Sequence, residues 1–413
     1  MKKFLIGTAT ASHQVEGNNT KNDVWAMENM KFGGFQEKSG DAANHYITYR
    51  EDIKKIKETG LNAYRFSLEW SRIEPIEGIF DQKEIEHYRD MIHACQELGI
   101  EPIVTLFHFT SPKWLIELGG WESCKVISYF ERYVEVVSKA FKNDDIKYIC
   151  TINEANIGVL IAKFIKAIQK EEKHSTLQIG YDTDNVVNNH VERIKENWEI
   201  FNVEEPAVFV SPRTKKGNEI IIETHKRAVN RIHSILPECK VGLSLSLRDI
   251  QYDEDGKISA DAAWQEEFEQ FFDAFKDDDY FGLQNYTRTI FGKDGEIPPT
   301  NDKECTQMGY EFYPEGLENV IRRVEKVFKK DIFITENGVA TNDDDRRIEF
   351  IKKALLGVDN CRKDNIPVIG YLYWSLIDNF EWQSGYSMKF GLMNLDKEHS
   401  TKKSMYYLGS WNK

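Results

Sequence analysis

Short apolar runs alternate along the chain with longer stretches in which apolar residues recur every three or four positions. The longer stretches, for example 83–98 and 125–141, have the spacing of amphipathic helices. The short runs are rich in β-branched and aromatic residues, as strands are. They predict eight strands, at Phe4–Thr8, Ala63–Ser67, Ile103–Phe107, Tyr148–Ile152, Val241–Leu245, Phe281–Asn285, Ile332–Thr335 and Val368–Trp374.

Eight strands that each precede a helical or loop-rich stretch favour an α/β fold with a closed parallel sheet, the (β/α)8 TIM barrel. An open doubly wound sheet is the alternative that this pattern leaves. Barrels of this size commonly form one domain, so we expect residues 1–413 to be a single catalytic domain. Residues 155–240 exceed one βα unit and predict extra helices in the βα loops.

The formal net charge is −14, from 54 basic and 68 acidic residues. This excess of acid argues against nucleic acid and anionic membrane surfaces as partners. No run of about 20 apolar residues is present, so no membrane span is expected. The sequence does not indicate an oligomeric state.

The six cysteines are widely spaced and form no CxxC pair. They are interpreted as reduced packing residues, which favours a cytoplasmic location. The first residues, with Lys2 and Lys3 before a short apolar run, resemble a signal peptide, but Gly7 interrupts that run too early.

In barrel enzymes the catalytic residues lie at the carboxyl ends of strands. Glu154 follows the fourth predicted strand and Glu336 ends the seventh, so both face one end of the barrel. Two carboxyls facing a polyol are what glycoside hydrolysis needs. From the residues alone, a structural ion pair or a metal-bound carboxylate pair remains possible.

No metal or nucleotide cofactor is expected, because the sequence lacks an HExxH motif, a GxGxxG motif and a P-loop. The run Asp343-Asp344-Asp345 is interpreted as a solvated loop and not as a metal site.

Tryptophans cluster at or just after the predicted strand ends, and indole faces stack well on sugar rings. Core packing is the usual alternative for any one of them. Glu381 beside Trp382 places a hydrogen-bonding carboxylate next to a stacking face, which favours a carbohydrate ligand. The tryptophans concerned are Trp70, Trp114, Trp121, Trp374 and Trp382.

Five dispersed segments resemble family 1 glycoside hydrolases, and the similarity runs nearly from end to end. Thr151-Ile-Asn-Glu-Ala155 resembles the acid/base motif of that family, and Ile334-Thr-Glu-Asn-Gly338 resembles its nucleophile motif. The other segments are residues 4–17, 64–75 and 374–386, which resemble the first strand, the second strand with its loop, and the sugar-binding segment of the last strand.

The resemblance implies roles for individual residues. Glu154 would be the acid/base, Glu336 the nucleophile, and Asn153 a ligand of the sugar 2-hydroxyl. Arg65 and Tyr286 would hold Glu336 ionised and oriented. The remaining sugar ligands would be Gln14, His108, Glu381 and Trp382, with Trp374 as the floor beneath the ring and Gln284 as a further binding residue.

Several positions depart from the family pattern. Ala155 stands where proline usually follows the acid/base, and Gln284 stands where asparagine is usual. Phe109 replaces the common tryptophan after the histidine. Residues 156–219, where the aglycone side of the cleft would be built, hardly match, so the aglycone is not predicted.

The expected activity is that of a retaining exo-β-glycosidase on small unphosphorylated β-glycosides, such as β-glucosides. Glu381 would repel a phosphate on the sugar, and phospho-sugar relatives usually replace the Glu381-Trp382 pair. A 6-phospho-β-glycosidase is therefore the alternative within the class. A catalytically silent sugar-binding protein and a metal-dependent barrel enzyme are the alternatives outside it.

Overall fold

The computed structural model describes residues 3–169, 178 and 190–411. Its strands lie close to the predicted positions, because runs of β-branched and aromatic residues mark strands that are buried on both faces. In chain order they are β1 (Leu5–Ala9), β2 (Ala63–Ser67), β3 (Glu101–Phe107), β4 (Tyr148–Ile152), β5 (Lys240–Gly242), β6 (Ser244–Ser246), β7 (Asp249–Tyr252), β8 (Tyr280–Gln284), β9 (Arg288–Gly292), β10 (Gly295–Ile297), β11 (Asp331–Asn337) and β12 (Val368–Trp374).

The parallel sheet has the order β5-β4-β3-β2-β1-β12-β11-β8-β6. Leu243 alone separates β5 from β6, so these two segments are halves of one barrel strand. The first half pairs with β4 and the second half pairs with β8. This pairing joins the two edges of the sheet, and the predicted α/β class and (β/α)8 TIM barrel are confirmed. A small separate sheet has the order β10-β9-β7.

The α-helices that the described residues form surround the barrel or lie in its loops. Thr214 caps the helix Lys215–Ile235 by accepting a hydrogen bond from the Gly217 amide. These helices are Ser12–Val15, Asp23–Glu28, His45–Thr59, Trp70–Ile73, Gln82–Glu97, Lys113–Glu117, Lys125–Ala140, Ile157–Gln169, His190–Phe201, Lys215–Ile235, Lys257–Glu267, Phe272–Phe275, Gly316–Glu325, Asp344–Lys363 and Lys403–Ser410; short 3-10 helices span Gly120–Glu122, Glu269–Phe271 and Trp382–Ser384.

Three of the helices, Ile157–Gln169, His190–Phe201 and Lys215–Ile235, lie in the region where extra helices were predicted. The interpretation of residues 343–345 as a solvated loop is wrong. Asp343 caps a helix by accepting hydrogen bonds from the amides of Asp345 and Arg346, and Asp344 and Asp345 form its first turn. Acidic residues are favoured there because they compensate the positive end of the helix dipole.

Apolar side chains such as Leu5, Ile103, Phe333 and Leu372 form one buried cluster of strand residues. A larger cluster packs between strands and surrounding helices. Outside these two clusters, polar residues lie at the carboxyl ends of the strands, where the candidate site is found. No helix among the described residues is both long and apolar enough to cross a membrane.

Candidate active site

All of the predicted site residues are buried, and they converge at the carboxyl end of the barrel. Each lies on a strand or in the loop that follows it: Gln14 after β1, Arg65 on β2, His108 after β3, Asn153 and Glu154 after β4, Gln284 and Tyr286 at and after the end of β8, Glu336 on β11, Trp374 at the end of β12, and Glu381 and Trp382 in the loop after it.

Glu336 has a partner on each carboxyl oxygen. Arg65 donates from Nη1 to Oε1 at 2.6 Å, and the Tyr286 hydroxyl donates to Oε2 at 2.5 Å. Burial raises the pKa of Glu336, while the Arg65 cation and the Tyr286 hydrogen bond oppose that rise. The ionised carboxylate is therefore the form that these neighbours favour.

Glu154 has a different environment, although it is equally buried. Burial, the nearby Glu336 charge and, more weakly, Glu381 raise its pKa well above the usual range, and a hydrogen bond with Ser246 opposes this. Among the described residues its Oε2 has no hydrogen-bond partner. Because only Glu336 has both a cation and a hydroxyl on its carboxylate, a proton shared by the pair belongs on Glu154.

Asn153 links the two glutamates to the rest of the site. Its Oδ1 accepts from Arg65 Nη2 at 2.6 Å, from Gln284 Nε2 at 2.8 Å and from Ser244 Oγ at 3.3 Å. Its Nδ2 lies 3.1 Å from His108 Nε2. Three donors on one oxygen fix the amide orientation, so the Asn153 side chain is held rigid.

His108 is neutral at physiological pH, since burial and the Arg65 charge lower its pKa well below the usual value. If Nε2 accepts from Asn153, the ring proton lies on Nδ1. That Nδ1 is buried and has no partner in the described part of the chain. A ligand hydroxyl is the kind of group that such a donor can bind.

Gln14 and Glu381 lie next to each other in the site. Gln14 donates from Nε2 to the Phe380 carbonyl at 2.8 Å, to Asn379 Oδ1 at 3.1 Å and to Glu381 Oε2 at 3.3 Å. Its Oε1 has no partner among the described residues. The contact with Gln14 orients the Glu381 carboxylate. The oxygens of that carboxylate can accept hydrogen bonds from the hydroxyls of a ligand.

Aromatic rings complete the site. His108 lies 5.7 Å from Trp374 and 6.4 Å from Trp382 between ring centres, with nearly parallel planes. Phe109, which stands where the related sequences have tryptophan, lies 5.3 Å from Trp382. The two tryptophans therefore flank the polar side chains that the sequence assigns to sugar binding.

Trp70 and Trp121 pack in the core, the alternative that the sequence leaves open for any one tryptophan. Trp70 is buried against Phe130 and Tyr133, and its Nε1 donates to Glu74. Trp121 likewise packs in the core. Trp114 packs edge-on against Trp70. All three follow strands, but the helices after those strands take their indoles into the layer between barrel and helices.

Two serines of β6 complete the environment of the acid/base and were missed in the sequence. Ser244 accepts a hydrogen bond from the Glu154 amide at 3.1 Å, and Ser246 bonds the Glu154 carboxyl. Gln178, outside the strands, donates to Ser246 Oγ at 2.9 Å. The signal was available, because hydroxyls at 244 and 246 alternate with leucines in a strand that ends at the site.

Two departures from the family pattern are accommodated locally. The Ala155 amide donates to the Ser244 carbonyl at 3.0 Å, a bond that proline could not make. Gln284 reaches both Asn153 and Ser244, the latter at 3.2 Å. The longer amide therefore fills the gap to Asn153 that a shorter asparagine would leave from the same strand position.

Among the described residues, no group of three or more His, Cys, Asp or Glu side chains has the geometry to hold a metal ion. The site is built instead from two glutamates, an arginine, amides and aromatic rings at the carboxyl end of a parallel barrel. That combination defines a glycoside hydrolase.

Comparison with known proteins identifies the family. The model of glycosyl hydrolase family 1 matches residues 1–305 and 284–413, and the chain belongs to this family. It is 29% identical to β-glucosidase A of Thermotoga maritima, covering 97% of this chain and 93% of that protein. It is also 28% identical to a 6-phospho-β-galactosidase of Clostridium acetobutylicum, covering 98% and 95%.

Solved structures of β-glycosidases are also similar to this chain. A crystal structure of a β-glycosidase superimposes with a TM-score of 0.89 at 38% identity, covering 99% of this chain and 96% of that one. A β-glycosidase from Pyrococcus horikoshii gives 0.81 at 30% identity, covering 99% and 93%. The enzyme therefore acts on O-glycosyl bonds.

Proposed function

We propose that the enzyme is a retaining exo-β-glycosidase that hydrolyses small unphosphorylated β-glycosides, as β-glucosidases do. The observation that carries this proposal is the contrast between the two buried glutamates. Glu336 has the Arg65 cation and the Tyr286 hydroxyl on its carboxylate, whereas burial and a neighbouring charge favour the protonated form of Glu154. A nucleophile and a general acid need these opposite protonation states.

In the first step, a carboxylate oxygen of Glu336 bonds to the anomeric carbon as the glycosidic C–O bond breaks. The proton of Glu154 passes to the leaving oxygen, which departs as an alcohol. The product is a glycosyl ester on Glu336, and that residue no longer carries a charge. Because the Glu336 charge contributes to the raised pKa of Glu154, Glu154 now ionises more readily.

In the second step, ionised Glu154 takes a proton from water, and the water oxygen bonds to the anomeric carbon. The ester bond breaks and Glu336 regains its charge. Two displacements at one carbon return the sugar with its original β configuration. Asn153, fixed by three donors, would bind the 2-hydroxyl beside the reacting carbon throughout.

Gln14, His108 and Glu381 would bind the other hydroxyls of the sugar at the non-reducing end. Gln14 Oε1 and His108 Nδ1 support this role, since each is a buried polar atom that has no partner among the described residues and that a hydroxyl would satisfy. Trp374 would form the floor beneath the ring and Trp382 a wall. A pocket that encloses one terminal sugar gives exo-specificity.

Glu381 supports an unphosphorylated substrate, because a buried carboxylate repels a phosphate at short range. The relative named 6-phospho-β-galactosidase makes the phosphorylated substrate the second candidate. Kinetics on matched p-nitrophenyl β-D-glucoside and its 6-phosphate decide between them. We expect turnover of the first and little of the second; preference for the phosphate would overturn the substrate assignment.

Activity measurements also distinguish a silent sugar-binding protein and a metal-dependent enzyme from a glycosidase that needs no metal. A silent sugar-binding protein would hydrolyse neither glucoside, and a metal-dependent enzyme would lose activity with a chelator. We also propose a cytoplasmic location for the enzyme, which its six unpaired cysteines support. The organisation of residues 1–413 as one catalytic domain remains a proposal as well.

A further inference from the structure

The turn that carries Glu154 has an unfavourable backbone conformation. Glu154 adopts φ 44°, in the left-handed region that residues with a Cβ seldom occupy. Such a conformation persists only where the surroundings impose it. The direction of the Glu154 side chain therefore depends on what holds residues 153–156.

On one side the turn is bonded to β6. The Glu154 amide donates to Ser244 Oγ, and the Ala155 amide donates to the Ser244 carbonyl. Asn156 accepts from the Ser246 amide at 3.0 Å and donates to the Ser246 carbonyl at 2.7 Å. Three consecutive residues of the turn are thus fixed to one strand.

Elsewhere the turn contacts Glu267, whose carbonyl accepts from Asn156 at 3.0 Å, and an arginine. Arg213 donates from Nη1 to the Ala155 carbonyl at 2.7 Å and from Nη2 to the Phe209 carbonyl at 3.0 Å. The helix that starts at Ile157 leaves the Ala155 carbonyl available, since the Val159 amide bonds to Asn156. Arg213 thus satisfies a buried carbonyl next to Glu154 that the rest of the described chain leaves without a donor.

Arg213 is itself firmly placed. Its amide donates to the Gly158 carbonyl at 3.3 Å, and its guanidinium lies 4.6 Å from the centre of the Phe209 ring. A Cβ at Gly158 would come within 2.8 Å of Arg213 Cβ and 3.0 Å of Cζ. A glycine at 158 is therefore required for Arg213 to pack against the start of this helix.

The burial of Arg213 is unfavourable for the stability of the fold. Arg213 is buried, and among the described residues its guanidinium donates to two carbonyls and not to a carboxylate, although the charge of Glu122 acts on it from a greater distance. Burial lowers the pKa of Arg213 to about 10 against the opposing effect of the Glu122 charge, so it remains a cation at neutral pH. A buried cation whose hydrogen bonds among the described residues go to carbonyls, without a direct ion pair, stabilises the fold little relative to an apolar residue, which indicates a role other than stability.

We infer that Arg213 is a positioning residue for general acid catalysis: by holding the Ala155 carbonyl, it fixes the left-handed turn that aims the Glu154 carboxyl at the leaving oxygen. This inference rests on the proposed function, in which Glu154 is the acid/base. The residue acts through the backbone and touches no reacting atom.

The dependence of kcat/KM on the leaving group of the substrate tests the inference about Arg213. 2,4-Dinitrophenolate departs without protonation, whereas methanol needs the proton of Glu154. For Arg213→Met we expect kcat/KM on methyl β-glucoside to fall by about 10-fold or more, a fraction of the 10²–10⁴-fold that general acid catalysis supplies. On 2,4-dinitrophenyl β-glucoside it should change less than about 2-fold, because binding and the nucleophile are intact.

Arg227→Met is the matched control, because Arg227 lies on the helix Lys215–Ile235 with its side chain about half exposed. It should leave both substrates unaffected, and Arg213→Lys should recover part of the loss. If Arg213→Met does not fold, Gly158→Ala, which displaces the guanidinium, should give the same pattern.

Equal losses on both substrates, or no loss on either, would overturn the inference. Failure of the wild-type enzyme on both glucosides would instead contradict the proposed function, so the two failures are distinguishable.

Discussion

The hydroxyl of Tyr286 donates to Oε2 of Glu336 across 2.5 Å, and Arg65 occupies the other oxygen of the same carboxylate. Both contacts oppose the effect of burial on the pKa of Glu336. Arg65 on β2 and Tyr286 just after β8 thus both favour the ionised form of the proposed nucleophile. How much each contributes can be read from the pH dependence of activity.

Tyr286→Phe removes the hydroxyl and leaves the ring. Because that hydrogen bond lowers the pKa of Glu336, its loss should raise this pKa and move the acid limb of kcat/KM to higher pH. A hydrogen bond to a charged group contributes about 1.5–3 kcal/mol, so the rate at neutral pH should fall by about 10-fold or more. Tyr133→Phe, which loses a bond to the Leu106 carbonyl, should leave the pH profile unchanged. An unmoved acid limb in Tyr286→Phe would contradict this account.

Glu154→Gln should stabilise the fold increasingly as pH rises. The folded state raises the pKa of Glu154, whereas the unfolded chain ionises it near the ordinary value of about 4.3. The stability due to protonated Glu154 is therefore complete below that value and is lost as pH rises through the folded pKa. Glutamine does not titrate, so the difference in Tm between variant and wild type should grow by about 2 °C or more from pH 4.5 to 7.5.

Thermal melts across this pH range measure the effect, with the exposed Glu219→Gln as control. A Tm difference that shrinks with pH would mean that the fold favours ionised Glu154, and the assignment of this residue as the acid would fail.

Glu381→Ala should lower kcat/KM on the glucoside by about 100-fold or more. The carboxylate would accept hydrogen bonds from two sugar hydroxyls, and their loss leaves roughly 3 kcal/mol uncompensated in a buried site. Folding should remain largely intact, because the residue serves the cleft and not the apolar core. The exposed Glu398→Ala provides the comparison. A loss below about 5-fold would remove Glu381 from the set of sugar ligands.

Gln284→Leu keeps the size of the side chain and removes one of the three donors to Asn153 Oδ1. Asn153 would then bind the sugar 2-hydroxyl less well. We expect kcat/KM on the glucoside to fall by about 10-fold, which corresponds to the free energy of about one hydrogen bond. The matched 2-deoxyglucoside lacks that hydroxyl and should be affected far less. Equal losses on both substrates would show that Gln284 acts mainly on Glu336, whose pKa it lowers through a hydrogen bond, and not through Asn153.

Much of the fold was predictable because strands buried on both faces are marked by apolar runs. The barrel rule then placed Glu154 and Glu336 at one end without further information. Indoles were less predictable: Trp70 and Trp374 both lie near strand ends, but Trp70 begins a helix after β2 and packs against Tyr133, whereas Trp374 is the last residue of β12.

The arginine that contacts the turn of the acid/base was beyond the sequence, unlike the two serines of β6. Arg213 is 59 positions from Glu154 in a region with little family resemblance, and its contact with Ala155 depends on how two loops fold together. The sequence likewise could not reveal that the Ala155 amide has a partner in Ser244. Contacts between distant segments are fixed by tertiary packing, which periodicity does not encode.

The central claim is that Glu336 is the nucleophile of a retaining reaction, and chemical rescue tests it most directly. Glu336→Gly should nearly abolish hydrolysis of 2,4-dinitrophenyl β-glucoside. Added azide should restore turnover by attacking from the vacated side, and nuclear magnetic resonance should show an α-glucosyl azide. Rescue of Glu154→Gly with that α product, and none of Glu336→Gly, would show that the two roles are reversed.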